Sequence, residues 1–354
     1  MINKPTIFRE GKYNQKDIND FKKKTGFKVI DIYSNQSKEL FEVQNPRITD
    51  EKELKKKFPE FEEERKKESS GDWIYYEWNN TFLHTLTEKE NDSLRTNRNK
   101  NIITAEEQKK LANFTVAIAG LSVGGNIATT LAYNGFSKNI KIADFDTLAT
   151  TNLNRVRGKL SDVGSAKIEI ISRQLYELDP YVNIIAFDKG LNKKNISEFL
   201  AGIPKTNLVF EIIDNLPLKI LIRKEAKKHK IPVVMLTSIG NSVLIDIERY
   251  DQDPKTKIFN GMVDEKILEY ILADKIPKSE VNKYVMEIVG PENIPPRVVE
   301  SVKSIGKTLV GRPQLMSTVT ITSGIACFIA RKIALGDKVT SGRKIFKFDD
   351  LLNS

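Results

Sequence analysis

The chain is poor in the residues from which cross-links and metal cages are made. Its 354 residues include one cysteine, Cys327, and two histidines, His84 and His229. A lone thiol excludes an intramolecular disulfide framework. It also excludes a zinc site built on paired Cys-x-x-Cys elements. The first residues, MINKPTIFREGKYNQ, lack the apolar core of a secretory signal, and a cytoplasmic protein is expected. Uncharged runs are short, with one to weigh. Pro313 to Ala330 carries no charge and approaches the length of a membrane span. Its centre is STVTITSG, poor in large aliphatics, and Arg331 and Lys332 follow at once. A helix buried in a folded core is expected there, with no membrane partner.

The hydrophobic share is 40%, enough for a core, and the length suits two domains or one large domain with an extension. The net charge is +10, with lysine-rich runs such as KKK at 55–57 and RKEAKKHK at 223–230. Such runs are ordinarily solvated faces, though a basic surface also attracts acidic partners. No helix-turn-helix, zinc-finger or RNA-binding signature accompanies them, so no specific nucleic-acid partner is expected.

Residues 1–93 differ in texture from the rest. KDINDFKKKTG predicts a short helix ended by Gly26, and FKVIDIY and ELFEVQ have strand character. TDEKELKKKFPEFEEERKKESSG reads as a charged helix interrupted near Pro59, and WIYYEWNNTFLHTL as strand. From Phe114 short apolar strands alternate with helical patterns: FTVAIAG, NIKIADFD, VNIIAF, NLVFEII and VVMLTS against GNIATTLAYNG, SAKIEIISRQLYELDP and LPLKILIRKEAKKHK. VLIDIE extends the strand series. The alternation predicts an α/β fold, doubly wound around a mainly parallel sheet, with a small α+β N-terminal extension. Beyond Tyr250 it fades into loops and helices. The proline- and glycine-rich stretch up to Arg312 suits ordered loops over an active-site mouth.

The segment AGLSVGGN joins the first of these strands to the first helix. Glycines there let the backbone turn tightly and approach a phosphate, and free N–H groups at a helix start favour an anion. Gly120, Gly124 and Gly125 can serve, with Ser122 at the usual middle glycine. Tight strand-to-helix packing is the structural alternative. The second strand ends in Asp144, 24 residues after Gly120, where an acid can accept hydrogen bonds from ribose hydroxyls. It could equally cap the turn, as could Asp146. On these residues alone NAD, FAD and ATP stay open.

The residues beyond Asp144 narrow the choice. DFDTLATTNLNRVRGKLSDVGSAK and, later, EIIDN resemble the ThiF/MoeB/HesA family, the bacterial relatives of ubiquitin-activating enzymes. The matching elements are Asp144 to Asp146, Asn152-Leu153-Asn154-Arg155, Lys167 and Asp214-Asn215. Upstream, Arg95-Thr96-Asn97-Arg98 matches an R-x-x-R element. The resemblance covers residues 94–250 clearly and implies an adenylation domain over 94–354. It implies a Rossmann-like fold and an ATP-dependent adenylyltransferase that converts a carboxylate into an acyl-adenylate. It further implies that Arg155 and Lys167 face the phosphates and that Asp214 holds Mg²⁺. The resemblance likewise implies that Asp144 takes the ribose and Asn152 positions the phosphate region. By the same resemblance Arg98 is expected to reach the γ-phosphate of the other subunit in a homodimer, with Arg95 the alternative. The structural alternatives are surface ion pairs for Arg155 and Lys167, and a helix cap for Asp214.

The chain departs from the family in two places. Members that form thioesters carry a reactive cysteine after the Asp-Asn strand, whereas Cys327 lies in the apolar C-terminal helix, where a packed thiol is expected. The paired cysteines of the family's structural zinc are absent, so no zinc is expected. The implied activity stops at the acyl-adenylate or passes the acyl group to an external nucleophile. The acyl donor would be the C-terminus of a peptide or small protein, or a small acid. Residues 1–93 would recognise substrate or partner, or pack in the dimer. A non-catalytic ATP-binding regulator and an NAD- or FAD-dependent oxidoreductase are the competing readings.

Overall fold

The structure, a computed structural model, describes residues 2–351 except 24, 25 and 27. The chain forms two compact units, Ile2–Gln108 with Tyr176–Tyr181, and Lys109–Leu175 with the chain from Val182 onward.

The first unit runs β1 (Thr6–Phe8), α1 (Gln15–Lys23), β2 (Lys28–Asp31), α2 (Tyr33–Gln44), α3 (Glu51–Glu68), β3 (Asp72–Tyr76), β4 (Thr81–Thr85) and α4 (Glu88–Arg95). Its sheet has the order β1-β3-β4-β2, with β2 parallel to β4 and the other pairs antiparallel. The expected end of α1 at 24–25, and Phe27, lie outside the described residues. Trp73, Phe82 and Ile18 form the buried centre, with the Trp73 and Phe82 rings 4.7 Å apart. The unit extends past residue 93, through the start of the next helix.

Two expectations in this unit need correction. ELFEVQ belongs to α2 and is not a strand. Tyr33, Ser37, Leu40 and Phe41 are the buried residues, a spacing that only a helix presents on one face. Nor does Pro59 interrupt α3, which runs through it. Proline forfeits one backbone bond in a helix interior, but Phe58 and Phe61 on either side both pack on Phe41, with ring centroids 6.0 and 5.1 Å away. Asp50 caps the helix start by accepting from the Glu53 N–H at 2.9 Å.

In the second unit, α5 (Ala105–Asn113) leads into β5 (Val116–Ala119), α6 (Val123–Tyr133), β6 (Asn139–Ala143), α7 (Lys167–Leu178), β7 (Asn183–Phe187), α8 (Ile196–Ala201), β8 (Leu208–Glu211), α9 (Leu216–His229), β9 (Val233–Ile239) and β10 (Ser242–Glu248). Then come α10 (Glu265–Leu272), α11 (Lys278–Val289), α12 (Pro296–Ser304), α13 (Met316–Leu335) and β11 (Gly342–Lys347). The sheet order is β11-β10-β9-β8-β5-β6-β7. The strands from β5 to β9 are parallel, and β10 and β11 add an antiparallel edge.

Both faces of this sheet are covered, which is why its strands read as continuous apolar runs. Ala117, Ala119, Val209 and Val233 pack with Phe199 of α8 and with Ile222 and Ala226 of α9. On the opposite face α6 lies so close that a side chain at Gly124 would meet Ile118 Cγ2 at 2.7 Å. The fold is therefore the expected doubly wound α/β arrangement. It reverses direction between β5 and β8, the place where such sheets open a crevice at their carboxyl ends.

The apolar run 313–330 forms most of α13, which packs on α6 and β9. By length and composition it could cross a membrane, but half of its most apolar stretch is buried within the protein. Its buried hydroxyls are satisfied locally. Thr318 Oγ1 donates to the Gly240 carbonyl at 2.7 Å, and Ser238 and Thr322 share a bond of 3.0 Å. Cys327 is buried on this helix, as expected. The region 250–312 is more helical than expected. Its prolines from 277 to 296 stand at helix starts, with Pro277 before α11 and Pro295 and Pro296 opening α12, where a missing N–H costs nothing.

Candidate active site

The turn between β5 and α6 is shaped by glycines. Gly120 has φ +90°, and a Cβ there would stand 2.7 Å from the Ile212 carbonyl oxygen that follows β8. Only glycine combines that conformation with that approach. Gly125 lets α6 close on α7, where a Cβ would meet Ile171 Cδ1 at 2.7 Å. Gly124 and Gly125 thus serve packing, one of the two readings open from sequence. Ser122 precedes α6 and its side chain makes no cap bond, so the hydroxyl is not spent on the helix.

Asp144, not Asp146, braces the turn. Its Oδ2 accepts from the Leu121 N–H at 2.6 Å and its Oδ1 from the Asp146 N–H at 2.8 Å. Burial raises its pKa above the usual carboxylate range, against the pull of those two donors and the nearby Lys167 charge. Lys167 is almost fully buried and pairs with Asp146 Oδ2 at 2.8 Å. Glycine turn, strand tip and Lys167 thus form one connected assembly.

A cavity of about 420 Å³ opens on the other side of the turn, at the carboxyl ends of β8 and β9. Ser122, Arg155 and Asp214 all line it. Gly120, Gly124, Gly125, Asp144, Asp146, Asn152, Lys167 and Asn215 stand outside its lining. Arg155 sits on a loop tied down through its main chain, since Asn126 Nδ2 on α6 donates to its carbonyl at 3.0 Å. Asn152 shapes the same loop by accepting from the Ala149 N–H at 3.1 Å. Among the described residues the Arg155 guanidinium donates only to neutral groups, the Thr151 carbonyl at 3.0 Å and Asn154 Oδ1 at 2.9 Å. Its Nε is buried without a partner among the described residues. Burial pulls its pKa below the ordinary value, and Asp214 opposes the shift. A surface ion pair does not describe it.

Nor does Asp214 cap the next helix. Asn215 does so, its Oδ1 accepting from the Leu218 N–H at 2.9 Å. The Asp214 side chain is 86% exposed and forms an ion pair with Arg312. Arg312 gave no signal in the sequence beyond its flanking Gly311 and Pro313, and it lies 98 residues away. Lys219 also lines the cavity unforeseen, one turn into α9. Its ammonium bonds Glu211 Oε1 at 2.8 Å and Oε2 at 3.1 Å, and burial lowers its pKa against that attraction. Glu211 is shared with the fully buried Arg223 at 2.7 Å, and Arg223 reaches Glu248 at 2.7 Å. This is a paired chain of charges beneath the cavity.

The two arginines of the R-x-x-R element lie in the first unit. Arg95 pairs with Asp179 at 3.0 Å, while Arg98 is exposed on the turn Asn97–Asn99.

Residues 95–353 match the ThiF family. The chain belongs to the ThiF family. An uncharacterized protein of Mycobacterium tuberculosis is 34% identical over 280 residues, 78% of this ThiF chain and 38% of that protein. A Bacillus subtilis tRNA threonylcarbamoyladenosine dehydratase is 27% identical, over 53% of this chain and 79% of its own. A Haemophilus influenzae molybdopterin-synthase adenylyltransferase is 24% identical, over 58% and 81%. The crystal structure of PaaA shares the fold, with a TM-score of 0.53 at 19% identity over 73% of this chain and 80% of that one. The ThiF chain thus spans well under half of the mycobacterial relative.

A divalent ion would find a single suited carboxylate in this ThiF site. Among the described residues no three acidic, histidine or cysteine side chains gather into a metal cage. Asp214 alone fits the way Mg²⁺ is usually held beside phosphates, through one exposed carboxylate with the remaining positions left to phosphate oxygens and water.

Proposed function

We propose that this protein is an ATP-dependent adenylyltransferase acting on a carboxylate. ATP lies along the glycine turn. A carboxylate oxygen attacks the α-phosphorus, the bond to the β-phosphate breaks, pyrophosphate departs, and an acyl-adenylate remains. Asp144 accepts from the ribose and Asn152 holds the loop beside the phosphates. Arg155 and Lys167 offset charge that grows on phosphate oxygens as the bond breaks, a task for fixed cations in a partly dry site. Asp214 is the residue that would hold Mg²⁺, and a bound ion would supply further positive charge beside the phosphates.

One observation carries the reading. Ser122 of the turn, Arg155 and Asp214 line one cavity at the point where the sheet changes direction. A cation without a carboxylate contact among the described residues and an exposed acid beside a phosphate-type turn suit nucleotidyl transfer. They have no task in hydride transfer, and a chain that only sensed ATP would have no need of both. Adenylyltransferases among the relatives point the same way. The protein acts in the cytoplasm as a homodimer, and Arg98 of one protomer reaches the γ-phosphate bound by the other. Its acyl donor is a small acid or the C-terminus of a peptide or small protein. Residues 1–93 contribute to recognising it.

The test is ATP–pyrophosphate exchange across candidate acids. Asp214→Ala is expected to abolish exchange while the circular dichroism spectrum is unchanged. Exchange at the wild-type rate in that variant would remove Asp214 from the reaction.

A further inference from the structure

The cavity beside Arg155 has two unlike ends. Its polar end is built from Ser122, Arg155, Asp214, Arg312 and Gln314. Its other end is mostly apolar, although Thr237, Ser238 and the paired Lys219, whose ammonium lies 3.5 Å from Met235 Sδ, also line the cavity. Leu216, Met235 and Ile239 form the floor, and the roof comes from α11 and α12 and the turn between them, with Ile288, Val289, Ile294 and Val298 facing in. These side chains also belong to one continuous hydrophobic cluster with Phe259 and Leu268, so the roof is anchored in the core. It sits low on the sheet edge. A side chain at Gly240, in the β9–β10 turn, would come within 3.1 Å of Val298 Cγ2 and 3.6 Å of Pro295 Cγ.

The charges of the cavity are largely spent. Lys219 is matched by Glu211, and Arg312 by Asp214. Arg155 is the cation lining the cavity with no carboxylate contact among the described residues. A ligand that fits this lining carries one anionic end and an uncharged, apolar body. The volume, about 420 Å³, is that of a small-molecule site.

We propose that the acyl substrate is a carboxylic acid bearing an apolar chain, its carboxylate toward Arg155 and its chain under α11 and α12. The proposal rests on the adenylation reading for what happens to the acid, but not for how the acid binds. A hydrophilic acid, or the bare backbone of a Gly-Gly terminus, would leave the apolar end of the chamber unfilled and its own polar groups without partners. The chain can belong to a free acid or to the last residue of a peptide, and the experiment separates them.

Alkanoic acids from acetate to decanoate are titrated calorimetrically into the full-length protein, with and without a non-hydrolysable ATP analogue. Succinate, a peptide ending in Leu and a peptide ending in Gly-Gly are run beside them, and all are then assayed for pyrophosphate exchange. Affinity is expected to rise about fourfold per methylene until the chamber is full and then to fall. Val289→Trp, which fills the apolar end, should shorten the longest acid accepted while ATP affinity is kept. The near-isosteric Val298→Thr guards against a failure of folding and should weaken the longer acids severalfold. If alkanoates or the Leu peptide bind in this graded way, the inference stands even where exchange is silent, and silence then counts against adenylation alone. If affinity is flat or absent along the series, or if only succinate or the Gly-Gly peptide drives exchange, the apolar-acid inference is overturned.

Discussion

Replacing Arg155 with alanine should separate catalysis from folding. The guanidinium donates to a backbone carbonyl and to the Asn154 amide and meets no carboxylate among the described residues, so its removal strands no buried counter-charge there. The loop keeps its place because Asn126 holds the Arg155 main chain, which alanine retains. The stability cost should therefore be about 1–2 kcal/mol, the loss of two ordinary hydrogen bonds. The catalytic cost should be larger. A fixed donor aimed at developing charge contributes roughly 3 kcal/mol, or on the order of a hundredfold in rate. Pyrophosphate exchange at saturating ATP and acid gives the rate, calorimetry the ATP affinity, and urea unfolding the stability. A fall of about a hundredfold in rate with a modest shift in the unfolding midpoint is expected. Exchange within threefold of wild type would refute the role of Arg155, and so would a rate loss that merely tracked unfolded protein.

Other sites give further expected outcomes. Gly120→Ala combines a positive φ with a Cβ 2.7 Å from a backbone oxygen, and should cost about 2–4 kcal/mol in urea unfolding and weaken ATP binding. Lys141 is buried, donates to the Gly202 carbonyl at 2.8 Å, and is pushed by burial down to about 8. Its ordinary value is 10.5, so between those pH values the unfolded chain binds more protons and stability should rise with pH, by up to about 1.4 kcal/mol per unit. Lys141→Met should flatten that rise relative to wild type when unfolding is compared at pH 7.5, 9 and 10. The Cys327 thiol is pushed up to about 11 by burial, so iodoacetamide at pH 8 should label the native protein far more slowly than the denatured chain.

The sequence was most legible where one physical constraint wrote the pattern. Strands buried on both faces produced apolar runs such as FTVAIAG, and the approach of Gly120 to Ile212 demanded a glycine at a predictable place. It was misleading where tertiary contacts chose between local options. Leu40 and Phe41 are adjacent apolar residues in a segment that alternates poorly, and only the buried Tyr33 and Ser37 reveal the helical period. Pro59 reads as a break until Phe58 and Phe61 are seen to grip Phe41 on either side. The prolines of 277–296 suggested loops, although each occupies a position where a helix tolerates it. At the site, Arg155 and Asp214 stood out because they occur in motifs. Arg312 and Lys219 did not, since what defines them is a partner or a wall brought near only by folding. The apolar roof of the cavity was hidden for the same reason.

The bond from Asn126 to the Arg155 carbonyl has a dynamic consequence. It fixes the root of the arginine, while the tip is held by two neutral partners, the Thr151 carbonyl and Asn154 Oδ1. The entropy of ordering the loop is lost once, when the chain folds, and is not charged again at each turnover. An incoming anion need not order the loop and has only to draw the guanidinium from those two neutral partners. The guanidinium can shift toward a bound anion while its anchor, one turn into α6, stays in place.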